Sequence, residues 1–282
     1  MFDLFKRRYS FISSSTLKVI AIVTMFIDHV AAGVLRYMLK AGMCPFGIER
    51  EKAIVVYEWM RHIGRQSFPI FCFLLIEGLF HTRNLKKYIL NMAIFSIISE
   101  VFFDIAFKVN VDVGNPNVIM LLQENWQKAS ENSNVFLTLM IGLISIWMMK
   151  LIEEKFFDKN DFSLLGFTVS NPLYMLLYYM PPAVGSMIAW KIGSDYSFWG
   201  ITLIAIFFVF RNQPLLASIL GYVFLSNMGG EAWALPAFIL IYFYNGERGF
   251  IKGNYKYAVY VFYPLHMAVL FAVRCYIFSI AN

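Results

Sequence analysis

The sequence predicts an all-α, polytopic integral membrane protein folded as a single bundle, and three observations predict it. Of 282 residues, 59% are hydrophobic and 18% aromatic while only 15% are charged, with a mean hydropathy of +0.61. Soluble domains run nearer a quarter charged and under half apolar. The apolar residues also gather in runs of the length a helix needs to cross about 30 Å of hydrocarbon. Finally, the basic residues cluster between those runs rather than along a stripe. That placement suits topology-setting loops and anionic lipid heads, and it argues against nucleic acid as a partner despite a net charge of +6.

The runs fall near residues 17–38, 63–81, 88–107, 134–152, 172–190, 197–210, 214–228, 231–244 and 257–279. They give about nine transmembrane helices, within a range of roughly eight to ten. The range arises between 197 and 244, where short runs are separated only by turns such as Arg211-Asn212-Gln213-Pro214 and Met228-Gly229-Gly230. The basic N-terminus followed by an apolar run imitates a signal peptide. That run carries Asp28 and His29 and lacks a small-residue cleavage site, so it reads as a retained first helix.

Lys6, Arg7 and Arg8 put the N-terminus in the cytoplasm by the positive-inside rule. Alternation then places Arg83, Lys86, Lys87, Lys150, Lys155, Lys159, Arg211, Arg248, Lys252 and Lys256 inside, and the sparser Lys40, Arg50, Lys52, Arg61, Lys108 and Lys128 outside. Residues 109–133 form the longest outer loop, a candidate lid, and 153–163 a charged connector. No repeat or internal boundary divides the chain, so residues 1–282 read as one domain. Cys44, Cys72 and Cys275 are odd in number and make no disulfide framework, and no CxxC or Cys/His spacing suggests a metal.

Ionisable residues inside apolar runs cost several kcal/mol unless paired or wet, which makes each a functional candidate. The first helix holds Asp28 and His29 near its middle and Lys18 toward its start. Lys18 and His29 are close to three turns apart, on one face and roughly 16 Å apart along the axis. A surface cation and a deep imidazole along one groove suit a long anionic cosubstrate with a reactive tip, such as a coenzyme A thioester. The structural alternative is a snorkelling Lys18 and a His29 bonded to a neighbouring helix. Adjacent helical residues point about 100° apart, so Asp28 is expected to meet something other than His29, such as a cation or Arg65.

Arg61 and Arg65 are spaced i,i+4, which suits carboxylate or phosphate recognition, or equally an interfacial anchor. Glu77 and His81 repeat that spacing. The basic loop holding Arg83, Lys86 and Lys87 is ordinary surface charge or a phosphate cradle. Glu100 and Asp104 share a face and need a cation or proton between them, with Arg65 and Lys18 as candidate counter-ions. In the last span Tyr260, Tyr263 and Pro264 precede His266, and the proline loosens the helix beside an imidazole.

Taken in order, these motifs resemble the TraX family of pilin N-acetyltransferases. They run from Leu17-Lys18 to Asp28-His29, then Gly64-Arg65-Gln66-Ser67-Phe68-Pro69, Glu77-Gly78, His81-Thr82-Arg83-Asn84, Ser99-Glu100 to Asp104, Ser194-Asp195-Tyr196, Tyr244-Asn245-Gly246 and Tyr263-Pro264-Leu265-His266. The resemblance extends more loosely to the acyltransferase-3 membrane family, whose opening helix carries arginine where this chain has Lys18. Lysine keeps the charge and loses the bidentate fork.

The resemblance implies a multi-pass enzyme of the bacterial cytoplasmic membrane that moves acetyl from acetyl-CoA to an acceptor amine or hydroxyl. The acceptor would be a pilin-like peptide N-terminus, a small molecule or a surface glycan. His29 would be base or transient acyl carrier, Asp28, Glu100 and His266 its catalytic companions, and Lys18, Arg65, Arg83, Lys86 and Lys87 the cofactor-binding cations. The rivals are a proton-coupled transporter or flippase relaying through Asp28, Glu77, Glu100 and Asp104, and a non-catalytic assembly scaffold. No inverted repeat favours the transporter.

Overall fold

Helix α1 (Ser14–Val30) starts where the Ser13 hydroxyl accepts the Thr16 amide, a serine N-cap ahead of an apolar run. It passes directly into a π-helical turn (Ala31–Leu35), closed by Arg36 N–H donating to the Ala31 carbonyl, and then into α2 (Arg36–Lys40). The computed structural model describes residues 10–109, 133–156, 161–164, 167–170, 172–251 and 256–281. The expected lid at 109–133 and the topology-setting Lys6, Arg7 and Arg8 lie almost entirely outside those residues.

Helix α3 (Arg50–Gly64) corrects the sequence reading, which places Arg50, Lys52 and Arg61 in an outer loop. Its charged first turn, Glu58 and Arg61 hide a helix whose Ala53 packs on Leu35 and Leu39 while Ile54, Val55, Val56 and Trp59 stay exposed. After a break at Arg65–Gln66 the chain continues as α4 (Ser67–His81). Helices α3 and α4 run antiparallel to α1–α2. The Ser67 hydroxyl donates to the Ala21 carbonyl at 3.0 Å, and Glu77 accepts from Tyr244, whose backbone pairs with Ile12 just before α1.

Asn84 caps α5 (Leu85–Phe107) by accepting the Lys87 amide. Helix α6 (Val135–Phe156) leads to a short antiparallel hairpin, β1 (Asp161–Leu164) and β2 (Phe167–Ser170), where the sequence suggests only a connector. Then come α7 (Pro172–Ile192), α8 (Ser197–Val209), α9 (Pro214–Ser226), a 3-10 turn (Glu231–Ala234), α10 (Leu235–Tyr242) and α11 (Lys256–Ile280).

Every expected apolar run is helical. Among the described residues, five helical stretches are long and apolar enough to cross a membrane: Ser14–Lys40, Arg50–His81, Leu85–Phe107, Val135–Lys155 and Tyr260–Ile280. Helix α7 has the length but carries Pro181 and Pro182 inside it. Helices α8, α9 and α10 are shorter. Leu17, Ala21, Ile70, Cys72, Leu143, Leu203, Phe208 and Met267 share one core that joins both halves of the chain.

The two longest helical stretches are interrupted at the same level. The π turn in one follows His29, and the break at Arg65–Gln66 in the other faces Asp28. Interrupted helices are tolerated in such bundles where neighbouring groups satisfy the freed backbone, and they mark functional sites. The chain turns at Ser133–Asn134 and Ser194–Tyr196 meet at this level as well. Ser133 pairs with Ser194, and Thr138 bonds both the Ser194 hydroxyl and the Asp195 carbonyl.

Candidate functional site

His29 and His266, 237 residues apart in sequence, are brought into direct contact. His29 Nδ1 and His266 Nε2 lie 2.6 Å apart with the rings within 3° of coplanar. His266 Nδ1 is 2.7 Å from the Phe262 carbonyl one turn earlier in α11. A carbonyl only accepts, so His266 Nδ1 carries a proton. With both rings neutral, His266 Nε2 is then an acceptor, His29 Nδ1 donates to it, and His29 Nε2 is left with a free lone pair. The pair sits among aromatic rings: Phe107 and Tyr263 meet His29 edge-on, and Phe262 stacks on His266. His266 is buried at 4% exposure, while His29 keeps part of its surface accessible.

On the other side of α1, Asp28 enters an ion network. Its Oδ2 accepts from Arg61 at 2.5 Å, and its Oδ1 lies 3.8 Å from Arg65. Arg65 donates to Glu231 at 2.8 Å, and the Tyr196 hydroxyl joins the same carboxylate at 3.1 Å. The side chain of Glu231 is 1% exposed. Among the described residues, Asp28 Oδ1 and Glu231 Oε2 are buried without a hydrogen-bond donor.

Local structure builds this cluster. Gly64 lets α3 approach, since a Cβ there would lie 2.3 Å from Asp28. Tyr196 and Ser197 have φ of 58° and 38°, a conformation that costs roughly 1–3 kcal/mol for non-glycine residues. Tyr196 is held by stacking on Phe68, with centroids 3.6 Å apart.

The remaining expected residues divide. Lys18 sits about three turns below His29 on α1 and within electrostatic reach of Arg248. Arg83, Lys86 and Lys87 are exposed around the start of α5, at the same end of the bundle. Lys18, Arg83, Lys86, Lys87 and Arg248 make no ion pair among the described residues. Arg65 does not belong with them: it precedes α4, more than three turns from Arg83, and its partners are carboxylates. Glu100 accepts the Asn134 backbone and side-chain amides at 2.9 and 2.6 Å, holding the start of α6. The counter-ion of Asp104 is Lys108 at 2.5 Å, just past the end of α5, rather than Lys18 or Arg65.

The TraX protein family matches residues 13–274, which takes in both histidines and the whole ion network. The chain belongs to the TraX family. A relative from Dichelobacter nodosus, "Probable fimbrial assembly protein FimC, serogroup H1", is 27% identical over 281 residues, covering 94% of this TraX chain and 97% of its own. No solved structure matches.

Sequence reasoning missed Glu231, and it noted Tyr196 only within the Ser194-Asp195-Tyr196 motif, without a role. The rule that flags Asp28 would also flag Glu231, which stands at the edge of an apolar run. The bond from Tyr196 to Glu231 has no such signal, because the hydroxyl reaches the carboxylate only through the turn that aims it.

Proposed function

We propose that this TraX-family protein is a membrane acyltransferase that moves an acetyl group from acetyl-CoA to an amine or hydroxyl of an extracytoplasmic acceptor. The observation that carries the reading is the free Nε2 of His29, oriented by a buried second histidine beside a network of arginines and carboxylates. In the proposed reaction His29 Nε2 takes the acceptor proton as the nucleophile attacks the thioester carbonyl. The new N–C or O–C bond forms, the C–S bond breaks, and the coenzyme A thiolate leaves with that proton. Positive charge arising on His29 is shared through Nδ1 with His266.

Lys18, Arg83, Lys86 and Lys87 would meet the coenzyme phosphates at the N-terminal end. The distance of roughly 16 Å from Lys18 to His29 matches a long flexible arm lying along α1. Asp28 Oδ1 and Glu231 Oε2, which accept no hydrogen bond, would receive the acceptor's donor groups. In this reading the apolar helical runs cross a bacterial cytoplasmic membrane about nine times with the N-terminus inside. The fimbrial assembly name of the relative favours a pilin-like subunit as acceptor over a surface glycan.

The test uses purified protein in nanodiscs with radiolabelled acetyl-CoA. Thioester loss or protein labelling is expected for the wild type and absent for His29→Ala. Transfer at the wild-type rate by His29→Ala would sink the assignment. The interrupted helices around Asp28 favour a second reading, a proton-coupled transporter. That reading expects proton flux in liposomes and no thioester turnover.

A further inference from the structure

Arg274 is the largest fully buried side chain of the described residues, at 0% exposure within the apolar stretch Tyr260–Ile280. A buried guanidinium there is costly, and packing alone would be served by leucine or methionine. Its partners explain it. One terminal nitrogen donates to the carbonyls of Gly33 at 3.2 Å and Ala106 at 2.9 Å. The other donates to Ile105 at 3.2 Å and Val109 at 2.9 Å.

The last carbonyls of a helix have no partner within it. At the end of α5 the Asp104 carbonyl is taken by the Lys108 amide, Ile105 and Ala106 by Arg274, and Phe107 by the Tyr37 hydroxyl at 2.6 Å. The guanidinium lies 4.0 Å over the Tyr37 ring. The other two bonds go to Val109, just past the end of α5, and to Gly33 in the π turn, four residues after His29.

Arg274 therefore ties three elements at one point. Its own helix carries His266 about two turns earlier, roughly 12 Å along the axis. The π turn is continuous with the helix that carries His29. The end of α5 presses the Phe107 ring edge-on against His29, with centroids 5.1 Å apart. We propose that Arg274 is a positioning residue that sets the register of α11 against α1, and so the contact between His266 and His29. Its importance for catalysis rests on the acyltransferase reading, while its effect on the pair does not.

The chain has four histidines, so [15N]histidine labelling resolves the pair directly, with single His→Asn variants for assignment. In folded Arg274→Met, judged by gel filtration and helicity, the imidazole signals of His29 and His266 are expected to lose their shared hydrogen bond. Those of His62 and His81 should stay in place. The kcat for acetyl transfer should fall about 10²-fold with KM for acetyl-CoA within about twofold, the signature of a misplaced reacting group. Arg274→Lys, which keeps the charge but cannot span four carbonyls, should show the same loss in part, and it decides the matter if Arg274→Met does not fold. Unchanged signals from the pair in either folded variant would overturn the proposal. A wild type with an intact pair and no turnover of acetyl-CoA would overturn the acyltransferase reading and leave the positioning result standing.

Discussion

Asp28 and His29 are consecutive residues on one helix, and they enter regions built on opposite principles. Asp28 faces full charges, two arginines, and through Arg65 it joins a second carboxylate and a tyrosine hydroxyl from separate segments of the chain. His29 faces one other histidine and a wall of aromatic rings. The first arrangement resists change because each buried ion is compensated by another, and removing one strands the rest. The second holds a single polar contact, so its loss costs little stability but changes which nitrogen is free to react. The comparison separates a framework that fixes two interrupted helices from a reactive group set beside it.

Crossed variants break this comparison most sharply. His29→Ala is expected to lower the proposed transfer by about 10²–10⁴-fold, while the unfolding midpoint in detergent moves by the equivalent of about 1 kcal/mol. Arg65→Met should do the reverse, costing about 3–5 kcal/mol of stability because Glu231 stays buried without its counter-ion. Replacing both, Arg65→Met with Glu231→Met, should recover most of that loss. Thermal melts of the three proteins decide it, and an Arg65→Met protein as stable as wild type would mean that the network carries no structural load.

Gly64→Ala sharpens the boundary between the regions. A methyl group at that position collides with Asp28, so Asp28 or helix α3 must shift, at a cost of about 1–3 kcal/mol. If the two faces of α1 are independent, the histidine signals in a [15N]histidine spectrum stay where they are while the melt moves down. Movement of the pair would show that Asp28 transmits its position through the helix.

Much of this is legible in the sequence, for physical reasons that also mark the limit. Asp28, His29 and His266 stand out because ions and imidazoles in apolar runs need a purpose, and the 100° step between helical neighbours is enough by itself to separate Asp28 from His29. The i,i+4 spacing of Arg61 and Arg65 likewise anticipates two guanidiniums turned to one partner. What spacing cannot supply is contact between distant segments. Nothing local pairs His29 with His266, or brings Glu231 and Tyr196 to Arg65. Helix α3 is hidden because Arg50, Glu51, Lys52, Glu58 and Arg61 lower the hydropathy of its window, although Ile54, Val55, Val56 and Trp59 lie between them. Spacing likewise gives no sign of the Asn134 amides that Glu100 accepts.

The case of Glu100 gives the smallest effect and a clean control. It accepts two hydrogen bonds from Asn134 and so holds the first turn of α6, which places its role in the framework rather than at the histidines. Glu100→Ala should cost about 0.5–2 kcal/mol, the range for losing a helix cap. Glu100→Gln should recover most of that, because the amide oxygen accepts from the same donors without needing a charge. A catalytic carboxylate would behave differently: glutamine would be as damaging as alanine to turnover, because neither can take up a proton. Melting both variants and measuring transfer in the same preparations tells the two roles apart. The framework role fails if Glu100→Gln keeps wild-type stability and loses transfer.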